Sequence, residues 1–268
     1  MPAQEPAQGS SSRTARQQAL AAIPFDQLNP QVAKNIRSVA QGASVYRRLP
    51  ITAIQSDPDL YLFLVRYPEV VVDIWRMMGV STMTAKRTGQ YTLTANDGSG
   101  TISNVDLVYG TPNLHIYFGD GGYNGPRLLK PIKAKCVIVL RSEYERGPDG
   151  LPVSTSCLDV FLDIENAAAD WIAKTIHPLF GSTADHNFVE SLKFVEKLSK
   201  TTMENGPGVQ GMSKKLVNVH PEVRARFAQI ASVVFERYSP ADPAAAANSI
   251  RQSNYQPPNE ASSHTSPR

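Results

Sequence analysis

The sequence predicts an α+β domain in which a curved antiparallel β-sheet of about six strands grips a long C-terminal helix, with extra helices at both ends. Three observations carry this reading. Apolar residues recur with period two across residues 81–164, with turn residues between the runs. A helical stripe of Phe188, Leu192, Val195 and Leu198 follows. The chain ends, by contrast, are poor in large apolar side chains. Hydrophobic residues make up 41% of the 268, enough for a packed core, but residues 1–19 and 239–268 cannot bury enough surface to offset their chain entropy. Both are read as disordered tails. Between them, 20–44 reads as an N-terminal helical extension, 45–204 as the main domain and 205–238 as a C-terminal helical extension.

Asn29 before Pro30 is a helix start, because Asn caps free amides and Pro suits the first turn. Val32, Ile36 and Val39 then give a helix over 30–41. Residues 49–55 read as a strand, stopped by Ser56, Asp57 and Pro58. Pro68 divides the next apolar stretch into helices of about 58–66 and 68–78, closed at Gly79. Strands are expected at 83–95, 102–109 and 114–118, with Leu114, Ile116 and Phe118 on one side of the last and His115 and Tyr117 on the other. Residues 119–125 hold four glycines and read as a loop. Strands 132–144 and 153–164 flank residues 146–150 as a hairpin. Asn166 is expected to cap a helix through Ile176, Ser182 with Asp185 resembles a capping box, and 183–204 is the clearest helix, ended by Gly206, Pro207 and Gly208. A last helix over 221–237 carries Val223, Phe227, Ile230 and Val234 on one face.

This order of elements resembles the START-like helix-grip superfamily of lipid-transfer domains, polyketide cyclases and pollen-allergen proteins. The likeness rests on YLFLVRYPEVVVDIWRMMGVS and on CLDVFLDIENAAADWIAKTIHPLFGSTADHNFVESLKFVEKLSK, and spans about residues 45–204. The resemblance implies an elongated cavity between sheet and closing helix, ready for a lipid, isoprenoid or aromatic ligand. Alternation then places Tyr91, Leu93, Val105, Leu107, Leu114, Ile116, Phe118, Ile138, Leu140, Val160 and Leu162 inside. The helical residues Trp171, Phe188, Leu192 and Val195 face them. A solid core built from the same side chains is the competing reading.

The motifs for a nucleophile elbow, a zincin, a phosphate-binding loop or paired cysteine ligands do not occur, so no cofactor or metal is expected. The five histidines, His115, His177, His186, His220 and His264, never recur at metal-ligand spacing; only His177 and His186, near Asp170 or Asp185, could approach one another. Asp159 and Asp163 share a strand face and read as solvent-facing charges, with an acid/base pair as the alternative. Cys136 and Cys157 lie on the two arms of the hairpin; alternation favours two reduced thiols, while a hairpin centred near residue 147 would bring them close enough for a disulfide. A net charge of +3 without a clustered basic face gives no footprint for nucleic acid. No apolar run reaches the ~20 residues of a membrane span, and the compartment, cytoplasmic or exported after processing, stays open. Three functions compete. The cavity binds a hydrophobic small molecule; or it performs cyclase- or hydrolase-like chemistry with Tyr91, Asp106, His115 or Tyr117; or the helix over 221–237 and the tails hold a protein partner.

Overall fold

The computed structural model describes residues 8–124, 131–165 and 179–239. Its centre is an eight-stranded antiparallel sheet made of β1 (Val45–Arg48), β2 (Thr52–Gln55), β3 (Thr84–Arg87), β4 (Thr92–Asn96), β5 (Thr101–Gly110), β6 (Leu114–Tyr123), β7 (Ile132–Arg146) and β8 (Pro152–Ile164). The order is β1-β8-β7-β6-β5-β4-β3, with β2 pairing further along β8. The α+β class and the grip on a long helix are as expected, but the strand count rises because β1 forms ahead of the strand expected at 49–55, which is β2, and because the strand expected at 83–95 divides. Pro50 separates β1 from β2, and a turn at residues 88–91 folds 83–95 into the β3–β4 hairpin.

Helices cover both faces. On the convex face lie α1 (Arg13–Ala21) and α2 (Pro30–Gly42). The Asn29 side chain caps α2 through the Gln31 amide at 2.9 Å. Residues 8–19 of the expected tail are therefore structured. Ser10 bridges to Arg48, Ser12 caps α1, and α1 buries only Ala15 and Ala19, side chains small enough for a polar helix to lie close against the sheet. Residues 240–268, the other expected tail, lie outside the described residues.

On the concave face, α3 (Pro58–Arg66) and α4 (Pro68–Met77) meet at the expected proline break. Asp57 caps α3, accepting from the Asp59 and Leu60 amides, and Gly79 at φ 72° ends the pair. Beside them runs the gripped helix, α5 (Ala184–Glu204). Asp185 does not close a capping box there. Its carboxylate pairs with Arg47 of β1 and accepts the Gly9 amide at 3.0 Å, tying α5 to the sheet. Asn205 turns the chain directly into α6 (Gly206–Ser213) rather than merely ending α5. The final helix, α7 (Pro221–Tyr238), buries Val223, Phe227, Ala231 and Val234 against α3, α5 and α6. Its apolar face is thus spent within the chain. The helix expected over 166–176 lies outside the described residues.

Two further expectations change. β6 runs on through Gly119, Asp120, Gly121 and Gly122 to Tyr123, so this stretch is strand and not loop. The glycines answer crowding: a Cβ on Gly121 would stand 2.3 Å from the Ile102 carbonyl oxygen, and one on Gly119 2.5 Å from Cys136 Sγ. The β7–β8 hairpin is centred near residue 149, because Arg146 faces Pro152, so Cys136 opposes Leu162 and Cys157 opposes Arg141. Both cysteines are free thiols on opposite sheet faces.

Asp159 is the largest correction. It is fully buried beneath α1 rather than solvent-facing. It accepts from Tyr46 Oη at 2.6 Å, Arg48 Nε at 2.8 Å and an Arg141 terminal nitrogen at 2.8 Å. Arg48 continues to the Ala15 carbonyl and Gln18, so one carboxylate holds β1, β7, β8 and α1 together. Removing its charge strands two guanidiniums, at a cost of about 3 kcal/mol. Asp159→Asn is expected to lower unfolding free energy by that order in urea titrations, whereas Asp163→Asn changes it by less than ~0.5 kcal/mol; equal effects would contradict the assignment.

His115 gives a second test. It is fully buried on the concave side and its Nε2 accepts from Arg66 Nε at 3.2 Å, which requires a neutral ring. Burial, then the Arg66 charge, brings its pKa from 6.5 down to about 4. Between those values the unfolded chain binds a proton that the folded chain refuses. The stabilisation is therefore complete above pH 6.5 and is lost as pH falls towards 4, up to about 3 kcal/mol. His115→Gln keeps an acceptor for Arg66 without titrating, so its unfolding free energy should fall less steeply between pH 6.5 and 4.5 than that of the unsubstituted protein. Parallel profiles would refute this.

Candidate functional site

A cavity of about 380 Å³ lies between the concave face and the helices. Its sheet wall is Leu93 and Ala95 of β4, Val105 of β5, Tyr117 of β6, Ile138 and Leu140 of β7, and Leu158 of β8. Phe188, Leu192 and Val195 descend from α5 at their helical spacing. The third wall is the α3–α4 pair, where Leu64, Val65 and Pro68 bracket the break and Val71, Val72 and Trp75 continue it. Trp75 is held edge-on by Phe194 at 5.7 Å between ring centroids.

The hydroxyls on this wall are already partnered. Tyr117 Oη donates to the Val65 carbonyl at 2.5 Å, Tyr61 Oη exchanges hydrogen bonds with Ser142 and Ser156 at 3.1 and 2.7 Å, and Ser191 Oγ donates to the Asn187 carbonyl at 2.7 Å. Burial raises the pKa of both tyrosines, so they stay neutral. Cys136, next to this region, is likewise pushed up by burial and held as a thiol. Such a surface offers carbon contacts and little to hydrogen-bond, and water in it has few partners.

Of the residues proposed from alternation, Leu93, Val105, Ile138, Leu140, Phe188, Leu192 and Val195 are brought together on the cavity wall. Val160 and Leu162 share its sheet face, opposite Ile138 and Cys136, but stand off the wall. Leu107 is on the same face but lines a separate outer hollow, and Tyr91 is 57% exposed in the turn before β4 rather than inside. Leu114, Ile116 and Phe118 are on the other face, packed against α1 and α2. That strand is inverted relative to the expectation because α1 and α2 supply a second apolar layer, while α3 supplies partners for His115 and Tyr117. Trp171, His177 and Asp170 lie outside the described residues.

The polar groups considered for chemistry do not converge. Asp106 is on the convex side, accepting from Thr92 Oγ1 at 2.6 Å; His115 is held by Arg66, and Tyr117 by Val65. No group of three or more potential metal ligands occurs among the described residues. The α3–α4 wall and the alanines were missed by alternation alone. The apolar stripes of 58–78 were visible, but their partner surface depends on the sheet's register.

No protein-family model matches the chain, and no curated protein matches it. No helix among the described residues is long and apolar enough to cross a membrane. Solved structures similar to it include that of the di-domain ARO/CYC BexL from the BE-7585A biosynthetic pathway, at 15% identity and a TM-score of 0.27. The alignment covers 63% of this chain and 55% of that one, so the chain spans about half of that structure's length. A superposition this loose transfers no residue role and no activity.

Proposed function

We propose that the protein is a START-like helix-grip domain that binds a hydrophobic small molecule or lipid in the cavity between its sheet and α5. The carrying observation is the carbon-lined space of about 380 Å³ whose hydroxyls already have partners. That volume falls within the range of small-molecule pockets, roughly 300–1,000 Å³. An unfilled apolar wall forfeits dispersion contacts and holds water poorly, so an apolar occupant gains about 0.8 kcal/mol for each methylene it buries. The same polarity weighs against the cyclase- or hydrolase-like alternative, which needs polar side chains aimed at a substrate. The interaction-domain alternative loses its main surface, since the stripe of α7 is buried internally.

The test is Nile red fluorescence on delipidated protein, together with mass spectrometry of lipid extracted after gentle purification. A single saturable dye site is expected. Ala95→Phe places a ring into the void and should weaken dye binding at least tenfold while leaving thermal stability equal or higher. Dye affinity unchanged by Ala95→Phe, with no extractable apolar ligand, would count decisively against the proposal.

A further inference from the structure

We infer that the protein carries a second, oxyanion-binding site on the outer side of the α3–α4 break, suited to a small ring-bearing phosphate or carboxylate. Three hollows of about 310, 530 and 450 Å³ share Tyr67 and Arg226 in their walls, and Arg66 belongs to two of them. Together they form a basin between α3, α7, the β3–β4 turn and the end of β5. Tyr67 is its centre. The Arg87 guanidinium lies 4.8 Å from the Tyr67 ring centroid and that of Arg226 5.8 Å, so the ring orients cations on the basin wall.

The charges do not balance. Arg87 is neutralised by the buried Glu69 through two hydrogen bonds of 2.5 and 2.9 Å. Arg47, Arg48, Arg141 and Arg237 each have an aspartate as well. Among the described residues Arg66 and Arg226 have none within 4 Å. Arg66 spends its Nε on neutral His115, and Arg226 makes no side-chain hydrogen bond to a described residue. The acids on the rim offset only part of this charge: Asp59 is engaged by Arg237 at 2.7 Å, and Glu222, one turn before Arg226 and without an ion pair among the described residues, leaves the two arginines in excess. The terminal nitrogens of Arg66 and the Arg226 guanidinium in one concavity match the oxygens of a phosphate or carboxylate. Tyr91 and Tyr109 provide faces for an attached ring.

Titration calorimetry of the full chain at low ionic strength, with phenyl phosphate, benzoate and phenol, tests this. Either acid should bind saturably, weaken with added salt, and weaken at least tenfold, about 1.4 kcal/mol, in Arg66→Gln and in Arg226→Gln. The stronger acid identifies the ligand group. Arg226 is exposed, so its variant should fold normally, and Arg146→Gln at the β7–β8 tip should bind as the unsubstituted protein does. Ala95→Phe should also leave binding intact, which separates this site from the apolar cavity. The inference fails if neither acid binds, if phenol binds as well as the acids, or if both arginine variants retain full affinity.

Discussion

The register of the β7–β8 hairpin is the constraint on which the other features rest. Pairing from Arg146 with Pro152 to Ala134 with Ile164 sends Ile138, Leu140, Leu158 and Val160 to the concave face and Val137, Val139, Asp159 and Phe161 to the convex one. A slip of one residue would exchange the two sets. It would bring the Asp159 charge into the apolar cavity and pull it away from Tyr46 and Arg48. The carboxylate is expensive to bury, but that expense makes the alternative pairing worse still. Because β1, β2 and β6 pair directly with these two strands, one hairpin sets the facing of most of the sheet.

Cross-strand pairing also brings small side chains together on the concave face. Ala85, Ala95, Ser103, Gly121 and Ala134 oppose one another in turn across β3 to β7, a row of small side chains at one end of the concave face. Towards the other end, Tyr61 and Tyr144 pack edge to face at 5.9 Å over Ser142, Ser154 and Ser156. Ala85 and Ala95 of this row stand on the cavity wall, where their short side chains leave room beneath the helices. Such a row is invisible in linear sequence, because its members lie up to 49 residues apart and join only through register.

Much of the fold was legible because proline, glycine and capping residues act locally. Asn29–Pro30, Asp57–Pro58 and Pro68 set their helix starts irrespective of what packs on them, and Gly79 its stop. Alternation likewise grouped Leu114, Ile116 and Phe118 against His115 and Tyr117. It did not say which group faces the cavity, since a sheet covered on both sides buries both. The choice was made by α1 and α2, in part a segment whose alanine-rich composition resembles a tail, and by Arg66 and the Val65 carbonyl, which partner His115 and Tyr117. Asp159 misled for the same reason. Its partners Tyr46, Arg48 and Arg141 come from other strands, so nothing near it in sequence marks it as buried.

The break at Tyr67–Pro68 divides two environments of opposite character. Val65 and Pro68 turn to the cavity, while Arg66 and Tyr67 turn to the basin. His115 and Tyr117 stand at the partition, and each meets a group from this break: His115 takes the Arg66 Nε–H, and Tyr117 donates to the Val65 carbonyl. Were His115 to take up a proton, its charge would oppose Arg66 in a space closed to water, and the partition would loosen. Keeping that ring neutral therefore serves both sides at once, holding positive charge on the outer surface and leaving the inner wall uncharged.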